Sequence, residues 1–96
     1  MQLPKSLAIE GIEYKVHLVP NLAATEQRFA EIDFVRQCIN LEGNAKPDQQ
    51  WESLLHEIIH AITQGEGIEE TFVARTSRRL FGVLRANGLY PTGKVK

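Results

Sequence analysis

Apolar residues recur every second position early in the chain and every third or fourth position later. Ile12, Tyr14, Val16 and Leu18 alternate with Glu13, Lys15 and His17, the period of a half-buried strand. Pro20-Asn21 ends that strand, and His17 falls on its polar side, where it reads as solvent-exposed. Ala30 to Phe34 and Gln37 to Leu41 read as two further short strands with a hairpin around Val35-Arg36, and Gly43-Asn44 breaks the second. Before them, Ala23 to Arg28 is a loop or a single helical turn.

From Pro47-Asp48 the period changes. Proline suits the first helical turn and aspartate can cap free backbone amides. Trp51, Leu54, Leu55, Ile58, Ile59 and Ile62 follow at helical spacing, and Gly65 and Gly67 stop the helix and turn the chain. A second helix spans about Ile68 to Ala86, with Phe72, Val73, Leu80, Val83 and Leu84 along one face and Asn87-Gly88 as its C-terminal cap. Residues 89–96 read as a tail, because Pro91 opposes further helix. With a corner this short, the two helices run antiparallel. The pattern therefore predicts one α+β domain over residues 1–96, in which a small antiparallel sheet is covered by two antiparallel helices.

Composition adds mainly exclusions. Hydrophobic residues make up 43% and charged residues 24%, with a net charge of −1, the balance of an ordinary globular domain. Arg75, Arg78, Arg79 and Arg85 cluster on the second helix, yet their spacing is that of a solvated face, and no nucleic-acid partner is expected. Cys38 is the only cysteine, which excludes a disulfide framework or a thiolate metal cluster and reads as a small core residue. Met1 to Ile9 lacks the apolar run of a signal peptide, and no stretch reaches membrane-spanning length. A cytoplasmic location without a membrane partner is the expectation.

The chemistry concentrates in His56-Glu57-Ile58-Ile59-His60. Histidines at i and i+4 on a helix share one side, so both imidazoles can reach one cation, with the intervening glutamate beside its open position. At 100° per residue the pair lies opposite the centre of the Trp51–Ile62 stripe, with Ser53 and Thr63, and with Glu57 on the flank. That placement disfavours two buried core histidines but is compatible with a simple solvated face. Glu69 and Glu70 follow within the first turn after the corner, about level with His60, and a helix start favours carboxylates in any case. Either could be an oxygen ligand. Glu69 points nearer the centre of the second apolar stripe, whereas Glu70 lies on its flank in line with Val73, Ser77 and Leu84.

The run Leu54-Leu55-His56-Glu57-Ile58-Ile59-His60-Ala61-Ile62, followed by Glu69-Glu70 and the Val73, Leu80, Val83-Leu84 helix, resembles small gluzincin-like metallopeptidases. The ImmA/IrrE-like group and its short phage- and prophage-encoded relatives are the nearest type, with the likeness spanning about Ala30 to Asn87. The resemblance implies Zn2+ held by His56, His60 and Glu70, with Glu69 as the alternative third ligand. It also implies Glu57 as general base and a peptide or protein as substrate. Relatives often carry Asn or Asp four residues beyond the ligand glutamate, where this chain has Ala74. Tyr90 and His17 are the candidates for stabilising an oxyanion. The contrasting expectation is a non-enzymatic zinc-binding protein, or a phage-type regulatory or assembly module with a degenerate site.

Overall fold

A computed structural model describes residues 3–26 and 28–89. Strands β1 (Ser6–Ile9), β2 (Ile12–Val19), β3 (Ala30–Asp33) and β4 (Cys38–Glu42) form one sheet; helices α1 (Leu22–Glu26), α2 (Pro47–Ile62) and α3 (Glu70–Ala86) complete the chain. Strand order is β1-β2-β4-β3. The outer pairs are antiparallel, but β2 and β4 run parallel, with Val16 opposite Ile39 and Leu18 opposite Leu41. The sheet is therefore mixed rather than antiparallel. The reason is the path of the chain: α1 carries it across to β3, and the β3–β4 hairpin folds back so that β4 lies beside β2.

β1 is an element that the pattern analysis leaves unassigned. Glu10 and Gly11, both at positive φ (52° and 83°), make the tight turn that returns β1 onto β2. The expected hairpin at Val35-Arg36 is present. Asp33 Oδ1 accepts the amides of Val35 and Arg36, both at 3.0 Å, which stabilises the loop locally.

Alternation sends Leu7, Ile9, Tyr14, Val16, Ile32, Ile39 and Leu41 to the face that α2 covers. Ile39, Leu41, Leu54 and Val73 are completely enclosed. Cys38 falls on the opposite face and is half-buried, so it is not a core residue. Burial and the Asp33 charge push its thiol upward, which makes it a poor nucleophile. His17, opposite Asn40, is exposed as expected.

α2 starts with Pro47 after Lys46 and without a side-chain cap. Asp48 instead pairs with Arg85 at 2.7 Å, tying the start of α2 to the end of α3. That pair, at the opposite end from the Gly65–Gly67 corner, fixes the helices antiparallel as expected. Among the described residues, α3 packs substantially only on α2. It buries Val73, Ser77 and Phe81, and leaves Phe72, Leu80 and Val83 exposed together with Ile62 of α2. The expected apolar face is thus displaced by part of a turn. Small Ser77 lets the helices approach at the centre of the buried line, and its hydroxyl is satisfied by Ala74 O at 3.1 Å. Asn87 Nδ2 donates to Val83 O at 2.8 Å and Gly88 takes φ 68°, closing α3 at the expected cap. Residues 90–96, the greater part of the expected tail, lie outside the described residues.

One buried carboxylate fastens this end of the sheet. Glu42, only 5% exposed, accepts the amides of Ala23 at 2.6 Å, Asn44 at 2.9 Å and Asn21 at 3.1 Å. It therefore anchors the start of α1 and the turn after β4. Gly43 beside it cannot take a side chain cheaply, because a Cβ would stand 3.2 Å from the backbone of Val19 and Pro20. The Ala23 amide, followed by that of Asn44, holds the Glu42 carboxyl below its ordinary value of 4.5. A depressed folded-state pKa contributes stability that is complete above the ordinary value and fades as pH falls through the folded one. Glu42→Gln is expected to lower the melting temperature at pH 7, with the gap to wild type narrowing below about pH 4.5. Thermal melts from pH 3 to 7 check this; a gap independent of pH would contradict it.

Candidate metal centre

Three side chains converge where α2 meets the start of α3. The 16-residue α2 carries His56 and His60 one turn apart, and their Nε2 atoms stand 3.1 Å from each other. Gly65 and Gly67, at φ 86° and 73°, take the left-handed conformations that make the corner. α3 then opens with Glu69 as N-cap and Glu70 as its first helical residue. The Val73–Ser77–Phe81 line turns Glu70 toward α2. Its Oε1 lies 2.5 Å from His56 Nε2 and its Oε2 lies 2.6 Å from His60 Nε2.

This is a donor set for one cation. His56, His60 and Glu70 each offer a ligand atom, all within 4.8 Å of one another. Two nitrogen ligands of a tetrahedral zinc ion, each at about 2.0–2.1 Å, sit roughly 3.3 Å apart. The 3.1 Å between the two Nε2 atoms is close to that spacing. The two imidazole nitrogens and the Glu70 carboxylate lie around a common point that one cation can occupy. The residues therefore fit a divalent metal. Of the two glutamates that periodicity left open, both are exposed, and it is Glu70 that stands with the histidines while Glu69 is absent from the set.

Glu57 lies between the motif histidines in sequence and is only 5% exposed. Burial pushes its carboxyl up to about 7; the Glu70 charge adds to the rise and Arg28 opposes it. Ser53, one turn earlier, is also buried and accepts a hydrogen bond from Gln49 Nε2 at 3.1 Å. The polar side of α2 thus faces an open cleft of about 710 Å³ rather than bulk water. Its walls include β3 (Ala30, Ile32), Phe29, Phe34 and Arg28. Neither His17 nor Glu69 lines this cleft, and Tyr90 lies outside the described residues.

Arg28 and the two phenylalanines are among the cleft residues that the pattern analysis does not single out. They flank a short strand singly, so no periodicity marks them. The Phe-rich ends of Ala30 to Phe34 were the available hint.

A scan against protein-family models, a search of characterised proteins and a search of solved structures find no match to this chain.

Cobalt(II) titrated into the metal-free protein is expected to bind at one equivalent, with the intense visible bands of a low-coordinate site. His56→Ala and His60→Ala should abolish this, Glu70→Ala should weaken it roughly tenfold or more, and Glu69→Ala should leave it unchanged. Loss in Glu69→Ala with retention in Glu70→Ala would reverse the assignment.

Proposed function

We propose that this chain is a zinc-dependent peptidase. The single observation that carries the reading is the meeting of His56, His60 and Glu70 at the mouth of a cleft that also holds the buried Glu57 carboxyl. Two imidazoles and one carboxylate favour zinc over calcium or magnesium, which prefer all-oxygen sites. Structural zinc sites generally use four protein ligands, often thiolates. Among the described residues this cluster offers three, and Cys38 is not one of them. A bound zinc ion would supply Lewis acidity, lowering the pKa of a water in its open position toward about 7 and polarising a carbonyl oxygen.

The remaining steps belong to the chain's own side chains. Glu57 accepts the proton released as water adds to the carbonyl carbon. It then delivers that proton to the amine nitrogen as the C–N bond breaks, and the second proton of the water follows to the same nitrogen, so the products are one carboxylate and one ammonium group. Glu57 is suited to this transfer by its place, a carboxyl enclosed at the wall of the same cleft that the three ligand side chains line. Positioning falls to β3, the edge strand of the sheet, which borders the cleft. An extended peptide can add to that edge through main-chain hydrogen bonds, and the exposed Phe29 ring offers an apolar contact for its side chains. No helix among the described residues is long and apolar enough to cross a membrane.

Zinc-loaded protein is expected to cleave members of a mixed peptide library read by mass spectrometry. Glu57→Gln should retain one zinc per chain yet lose at least about 100-fold in turnover. Zinc-loaded wild type that cuts nothing would favour a non-enzymatic zinc module, and equal turnover by Glu57→Gln would remove Glu57 from the chemistry.

A further inference from the structure

Among the described residues, the flank of α3 facing away from the metal cleft has no partner. Phe72, Thr76, Leu80 and Val83 lie within about 80° of one another at 100° per residue. Phe72, Leu80 and Val83 are 48%, 39% and 56% exposed. The helix buries the Val73–Ser77–Phe81 line instead. α2 also leaves Ile62 half exposed. At the corner end this apolar strip runs into a groove of about 350 Å³ beside Phe72 and Arg75. Large apolar side chains gathered on one side of a helix differ from the scattered exposure usual on a protein surface.

Charge says what covers the strip. Arg75 and Arg79 border it, and the Arg75 guanidinium stands 5.9 Å over the Phe72 ring. Arg85 has Asp48, whereas neither Arg75 nor Arg79 forms an ion pair among the described residues. A second copy is a poor occupant, because two-fold packing of this flank on itself sets the arginine rows against each other. Nucleic acid would leave the apolar strip unused. An anionic membrane would meet Glu66 and Glu69, both exposed at the corner end of the same strip. Arginine beside aromatic and aliphatic residues is the composition of protein interfaces.

We propose that this flank is a docking surface for an amphipathic helix of a partner protein. That helix carries apolar residues at i, i+3 or i+4, and i+7, with carboxylates along the edge that meets Arg75 and Arg79. The surface is separate from the cleft and does not depend on peptidase activity.

The test is selection of a displayed library of helical peptides on the full-length, metal-loaded protein. Enriched sequences should combine that apolar spacing with flanking Asp or Glu. A synthetic peptide of the enriched sequence should shift the NMR signals of Leu80 and Val83 while leaving those of His56 and His60 in place. The double variant Arg75→Glu/Arg79→Glu alters only exposed positions and should weaken that peptide roughly tenfold. It should favour basic peptides when selection is repeated. Val83→Glu, a second variant at an exposed position, should weaken both peptide classes. Metal content equal to wild type shows that the variants are folded. Enrichment without acidic residues, binding unaffected by the charge reversal, or no enrichment at all overturns the proposal. So does dimerisation lost in Val83→Glu, or preferential binding to duplex DNA or phosphatidylserine vesicles.

Discussion

Two imidazoles and a carboxylate drawn to within hydrogen-bonding distance at the corner of a helix pair are the constraint on which this architecture turns. Among the described residues α3 has no substantial neighbour except α2, and it is held there by the Val73–Ser77–Phe81 seam, the Arg85–Asp48 pair at one end, and Glu70 against the histidines at the other. Without a cation, the carboxylate end brings polar groups together in a half-buried place. With one, the same groups would become a clamp, and binding the metal would contribute to folding. In a chain of 96 residues, with a correspondingly small core, such a clamp counts for more than it would in a larger domain.

The buried Glu57 works against stability. A carboxyl that is 5% exposed resists ionisation, and the Glu70 charge nearby increases that resistance. Glu42 is the opposite case. It is equally enclosed, but three backbone amides donate to it, so enclosure favours its charged form. Two glutamates with equal exposure thus have pKa values displaced in opposite directions. The one held charged secures the sheet, and the one held near neutrality lines the cleft. That contrast sets apart a carboxylate anchored by backbone amides from one enclosed without them beside the metal-ligand cluster.

Much of this was legible in the sequence wherever a period extended over several turns. α2 and α3, the glycine corner, the β3–β4 hairpin and the Asn87-Gly88 cap follow from spacing and turn chemistry. β1 was not legible because Leu7 and Ile9 give too short an alternation, and Glu10-Gly11 is a weak hairpin signal beside Asn-Gly. The parallel β2–β4 pairing was hidden for a different reason: strand order depends on long-range packing, which no local pattern encodes. On α3, Leu80 and Phe81 compete for the buried face, as do Phe72 and Val73. Which of each pair wins depends on how closely Ser77 lets α2 approach. That same choice turns Glu70 rather than Glu69 toward the histidines, so the third site residue could be narrowed to two by sequence and separated only by packing. His56 and His60 needed no such help, because their relation lies within one helix.

X-ray absorption at the zinc edge, on protein purified without a histidine tag, reports most directly on that convergence. The account predicts one zinc per chain with two imidazole nitrogens and carboxylate oxygen in its inner sphere, and loss of the oxygen contribution assigned to Glu70 in Glu70→Ala. A protein that retains no zinc, or a spectrum with a sulfur ligand from Cys38 and no paired imidazoles, would contradict it.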